Sequence, residues 1–134
     1  MANILAGIFL VLHGLVHLLY FAQARRLFEL QKGMTWPDGS WLFSAFTGND
    51  VTRTIAAAAC VMAAVGFVAG ATGLFASQGW WQWTVIGAAV FSSAIFLLSW
   101  DGQFQGLSSS GIFALLINAA VIISLLVFRW PRLA

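Results

Sequence analysis

Charge is what this sequence has least of. Only 7% of its 134 residues are Asp, Glu, Lys or Arg, against about 25% in a soluble domain. Ten charges are too few to cover the surface of a water-soluble domain of this size. Six Lys and Arg residues in total make no phosphate-binding stripe, which excludes a nucleic-acid partner. Cysteine is nearly absent: Cys60 stands alone, so no intrachain disulfide forms. Its role is that of a small apolar filler. Proline occurs twice, at Pro37 and Pro131, and neither falls inside a long apolar run. That counts against a carrier built from broken helices.

What is abundant is apolar surface, at 61% of residues. Charges divide the chain into uncharged runs 1–24, 54–100 and 102–128, which are 24, 47 and 27 residues long. About 20 apolar residues cross the hydrocarbon core of a bilayer as a helix. The first and third runs therefore hold one span each, and the middle run holds two, turning at Ala76-Ser77-Gln78-Gly79. The spans are placed at about 4–23, 54–75, 81–99 and 111–128. No stretch alternates apolar with polar as a membrane strand does, and helices satisfy their own backbone in lipid. The expected fold is all-α: one integral membrane four-helix bundle over residues 1–134, with an aromatic first loop at the interface. Trp36, Trp41, Trp80, Trp81, Trp83, Trp100 and Trp130 all lie at or near the ends of these spans, as an interfacial belt does. Residues 1–24 lack a basic leader region, and their apolar run is too long for a cleaved signal peptide, so they read as a retained span.

Four spans put both ends of the chain on one side of a cell membrane. The first loop carries Arg25, Arg26, Lys32 and Arg53, and the opposite side Arg129 and Arg132. The positive-inside rule then places the loop in the cytoplasm and the termini outside. The Arg25-Arg26 pair reads as an anchor for lipid phosphate. The first helix is expected to run on to Gly33, before a β-turn at Trp36-Pro37-Asp38-Gly39. Trp41–Phe46 is too short to cross. It lies in the interface, as a connector or as a lid dipping against the bundle. Asn49 or Asp50 is expected to cap the second helix. In the second span Gly66-x-x-x-Gly70 allows close helix approach, and Ser92 and Ser93 in the third can bond within or across helices.

Polar groups at membrane depth carry any chemistry. His13 and His17, four apart, share a helical face that Tyr20 and Ala24 extend. That face must look into the bundle, where Asn118 is a matching partner because its amide both donates and accepts. An i,i+4 histidine pair suits a metal ion, but no third ligand lies at that depth. It also suits a haem or chlorophyll-type pigment, a quinone carbonyl, or a plain hydrogen bond that fixes helix register. His13, His17, Tyr20 and Asn118 are therefore the candidate cofactor-contacting set, with no catalytic or metal-binding residues assigned. Asp101 is placed to cap the turn at Gly102 or to pair with Arg53 or Arg25.

The His13-Gly14-x-x-His17 helix ending at Arg25-Arg26, the aromatic first loop, the short third loop and Gly111-x-x-x-Leu115-Leu116-x-Asn118 together resemble small four-helix bacterial membrane proteins of the DoxX-like kind. The resemblance implies a neighbourhood of quinone-linked respiratory complexes, and it implies no catalytic residue. Three functions follow as expectations. The first is an accessory subunit of a larger respiratory or photosynthetic membrane complex, meeting lipid and either other membrane subunits or further copies of itself. The second is a redox protein holding a quinone, haem or pigment at His13 and His17. The third is a small oligomeric transporter or channel, for which deep polar groups are few.

Overall fold

A computed structural model describes residues 1–133. The chain forms four α-helices: α1 (Ala2–Ala24), α2 (Phe43–Phe75), α3 (Trp81–Leu98) and α4 (Ile112–Leu126), with a short 3-10 turn at Leu107–Ser109. No strand occurs among the described residues. Three of these helices, α1, α2 and α3, are long and apolar enough to cross a membrane. The fourth is equally apolar, but it has 15 residues, a rise of only about 22 Å at 1.5 Å per residue. The expected span 111–128 is thus a shorter helix. Its last turn ends at Leu126, and Arg129 takes a left-handed backbone conformation (φ 50°).

The turn between α2 and α3 falls at Ala76–Trp80, where the only polar break in the middle run lies. Two other boundaries differ from the expectation. α1 stops at Ala24 and does not continue to Gly33, because the chain reverses at Arg26 (φ 59°) and folds back over the helix end. α2 starts early, at Phe43, but Gly48 (φ 80°, ψ 170°) breaks it into a short helix and a long one. That backbone conformation favours glycine. Neither Asn49 nor Asp50 caps the long helix as expected. Asn49 Oδ1 accepts the Gly39 N–H at 3.0 Å, and Asp50 meets Arg53 at 3.3 Å.

The backbones of α1 and α2, α2 and α3, and α3 and α4 lie side by side, whereas α1 reaches α3 and α4 only through side chains. The α2–α3 seam is tight. A Cβ at Gly66 would sit 2.8 Å from Ala88 Cβ, and one at Gly70 would overlap Val85. These glycines pack helices within the chain, as their spacing suggests. The core has two apolar halves. One, toward the α2–α3 turn, centres on Leu10, Phe67, Trp81, Val85 and Leu125. The other, toward the first loop, centres on Tyr20, Trp36, Cys60 and Phe96.

Val85 is β-branched and cannot rotate away from an added methyl at Gly70. Gly70→Ala should therefore destabilise the fold by about 1–3 kcal/mol, as overpacking does. Gly87→Ala, on the open face of α3 with nothing within 4 Å, should leave the thermal unfolding midpoint in detergent unchanged or raised.

Candidate functional site

Between the two apolar halves lies one polar layer. His13 and His17 come from α1, Ser92 and Ser93 from α3, and Asn118 from α4. All but Ser93 are buried to within 3% of full enclosure. His13 Nε2 lies 2.7 Å from Asn118 Oδ1. His17 Nδ1 lies 2.9 Å from the His13 carbonyl, and His17 Nε2 lies 2.6 Å from Ser92 Oγ. The Asn118 amide nitrogen reaches Ser92 Oγ at 2.9 Å and Ser93 Oγ at 3.2 Å.

Donor–acceptor matching fixes the hydrogens. A carbonyl only accepts, so His17 Nδ1 carries a hydrogen and donates to His13 O. Neutral His17 then has a bare Nε2, which accepts the Ser92 hydroxyl hydrogen. Ser92 Oγ keeps lone pairs for one Asn118 N–H, and the other goes to Ser93. Asn118 Oδ1 is left to accept from His13 Nε2–H. Every contact has one donor and one acceptor with both imidazoles neutral. Turning the amide over breaks this pattern: Ser92 would owe its single hydrogen to both Asn118 Oδ1 and His17 Nε2.

The network uses three of four imidazole nitrogens. Only His13 Nδ1 has no hydrogen-bond partner among the described residues. Both rings pack on Phe67, edge-to-face for His13 at a centroid distance of 4.7 Å and tilted for His17 at 5.2 Å. The five best-formed cavities are lined by other residues than His13, His17 and Asn118. Among the described residues no three His, Cys, Asp or Glu side chains are grouped to hold a metal ion. The arrangement can lock three helices in register, and it presents a ligand with one nitrogen lone pair.

No protein-family model, curated protein or solved structure matches the chain.

Of the four expected site residues, His13, His17 and Asn118 meet. Tyr20 does not join them. It lies toward the first loop, its ring 4.8 Å from Phe96 and 5.4 Å from Trp36. Sequence reasoning missed what holds the loop there. Gln23 is fully buried at the end of α1. Its amide donates to Met34 O at 3.0 Å and accepts the Leu30 N–H at 2.9 Å. Arg26 donates to Trp36 O at 2.9 Å and Thr35 O at 2.7 Å. Ser40 and the Trp41 indole donate to the carbonyls of Leu98 and Leu97 at 2.6 and 2.8 Å. Met34, Trp36 and Pro37 thereby plug the end of the bundle, while Trp41 and Phe46 of the expected interfacial segment are exposed. The available signal was a long polar side chain in the last turn of an otherwise apolar helix.

Asp38 holds the plug. Arg53 grips its carboxylate with two bonds of 2.6 Å, and Arg26 adds a third contact at 2.8 Å. Asp101 makes no ion pair among the described residues, and its Oδ1 caps the turn by accepting the Gln103 N–H at 2.9 Å. Trp36 Nε1 and Ser99 Oγ are buried without a protein partner, and both residues line a polar cavity of about 20 Å³ beside Asp38 and Asp101. That is the size of a single-water site.

Removing Asn118 strands the His13 N–H. Asn118→Leu should lower stability by about 1–3 kcal/mol. The double variant His13→Leu/Asn118→Leu should recover part of that loss, because removing both partners leaves less unpaired. Denaturation in detergent gives both values. A second expectation concerns pH. Burial raises the Asp38 pKa, but the hydrogen bonds of Arg53 and the charge of Arg26 outweigh it and hold it below the ordinary carboxylate value. A depressed folded pKa contributes stability above the unfolded value of about 3.9, which is lost as pH falls through the folded one. The stability difference between the wild-type protein and Asp38→Asn should therefore be full at pH 6 and shrink as pH falls below about 4.

Proposed function

We propose that this chain is a four-helix integral protein of the cell membrane that serves as an accessory subunit of a larger membrane complex, of respiratory or photosynthetic type. The observation that carries this reading is the closed polar layer. The deep polar side chains are spent on one another, and what the chain offers outward is apolar helix surface, including Leu12, Met62, Val65 and Leu116. A chain whose buried polar groups serve register and whose surface is apolar is suited to packing among other membrane subunits. The resemblance to DoxX-like proteins agrees with this reading. Four basic residues at the first-loop end against two at the other favour a cytoplasmic loop and termini outside.

The competing reading is a redox protein contacting a quinone, haem or pigment. It must use His13 Nδ1, the one imidazole nitrogen the network leaves unbonded, and it requires an opening of the layer to admit the ring. A transporter is less well supported, because the layer contains no ionised pair and no free polar path.

The deciding experiment is purification from native membranes at ordinary expression. Carbonate-washed membranes should retain the chain, and mild detergent should release it in a particle much larger than 14.5 kDa with stoichiometric redox subunits. Release by carbonate, or a monodisperse single-chain particle, would overturn the reading. A coloured or quinone-containing preparation whose pigment or quinone is lost in His13→Ala would favour the redox alternative.

A further inference from the structure

The ten charges are not shared evenly between the two ends of the bundle. The first-loop end holds all four acids, Glu29, Asp38, Asp50 and Asp101, and four bases, Arg25, Arg26, Lys32 and Arg53, so its formal charge is zero. The opposite end holds Arg129 and Arg132 and no acid, so the whole formal charge of +2 sits there. The ion pairs of the described residues all lie at the loop end. Arg129 and Arg132 are both exposed, and neither meets a carboxylate among those residues.

Both guanidinium side chains line one wide cavity of about 750 Å³, together with Gln82, Trp83 and Leu125. That cavity shares Trp81 and Leu125 with a second one. The second, about 150 Å³, is almost wholly apolar and runs between α1 and α4, lined by Ala6, Leu10, Ala120 and Val121. It lies where the α1 and α4 backbones do not come together. A cationic mouth thus opens beside a narrow apolar groove. Trp83 and Trp130, half or more exposed, flank it as interfacial aromatics do.

We propose that one anionic phospholipid binds at this corner, with its phosphate between Arg129 and Arg132 and an acyl chain along the α1–α4 groove. The charge complementarity selects an anionic head over a zwitterionic one, since paired basic groups near a helix bundle attract acidic headgroups. The groove selects a lipid over a free anion, because it offers a chain an apolar wall on both sides. The inference rests on the membrane reading above.

The test uses the full chain in delipidated detergent, with native mass spectrometry and thermal shift as readouts. Phosphatidylglycerol should bind about tenfold more tightly than phosphatidylcholine of the same chains, and glycerol phosphate should neither bind nor stabilise. Arg129→Gln/Arg132→Gln should erase the preference while leaving phosphatidylcholine binding intact. Ala120→Phe, at the exposed edge of the groove, should weaken both lipids. Equal binding of the two lipids, an unchanged preference in the arginine variant, competition by glycerol phosphate at lipid concentrations, or a lipid-free dimer broken by Ala120→Phe would each overturn the site. If carbonate-washed membranes retain the protein while the preference is absent, the lipid site alone fails. If carbonate releases the protein, the membrane reading fails with it.

Discussion

An apolar bundle must place each buried polar side chain where a donor meets an acceptor, since a stranded group costs about 1–3 kcal/mol. Midway along the bundle that constraint is met by one layer of side chains. The bond from His13 to Asn118 spans α1 and α4, and those helices do not touch along their backbones. The bond from His17 to Ser92 does the same for α1 and α3. By backbone contact alone α1 would meet only α2, with apolar side chains such as Tyr20 on Phe96 bridging to the rest. The side-chain layer closes the arrangement, and it does so in one register, because a slip of one residue would strand several groups at once. The apolar clusters on either side follow from that closure. Phe67 and Phe96 pack on the histidine rings, and each belongs to a different half of the core.

The same demand explains the loop end. α1 finishes with a buried Gln23, and a primary amide needs several partners. They come from the backbone of residues 30–36, which has no regular structure of its own and so has free carbonyls and N–H groups to give. The plug of Met34, Trp36 and Pro37 is therefore coupled to the end of the helix. The long first loop is held by polar bonds at its base and by Asp38 between two arginines at its tip.

Much of this was legible in the sequence for a simple reason. The length of an uncharged run sets where a helix can lie, so α1, α3 and the α2–α3 turn fell close to their expected places. Depth along the runs also matched Asn118 to the histidines, because a deep polar group must find another at its own level. What was not legible depended on partners distant in sequence. A polar residue in the last turn of α1 marks Gln23 as unusual, but nothing local to it names Met34 and Leu30 as its partners. Nothing local to Asp38 says that Arg53 will reach it before Asp101 does. Tyr20 shares the helical face of the histidines, but Trp36 arrives from the loop and claims it for an aromatic cluster instead.

Counting basic residues gives a different picture of the two ends from following their bonds. The first-loop end has twice as many Lys and Arg residues, and the adjacent pair Arg25-Arg26 reads as a place for lipid phosphate. In the structure Arg26 turns inward: it gives its hydrogens to loop carbonyls and shares Asp38 with Arg53. Arg53 takes the bidentate grip on that carboxylate, and Arg26 adds one contact to it beside its bonds to the loop carbonyls. Arg26 and Arg53 hold the plug, and their charge is answered within the protein, whereas Arg25 is exposed and makes no ion pair among the described residues. Arg129 and Arg132 at the other end have no acidic side chain near them among the described residues, so the end with fewer basic groups carries the formal excess of positive charge. Counts of basic residues measure how many cations there are, whereas attraction for an anion depends on how many acids stand beside them.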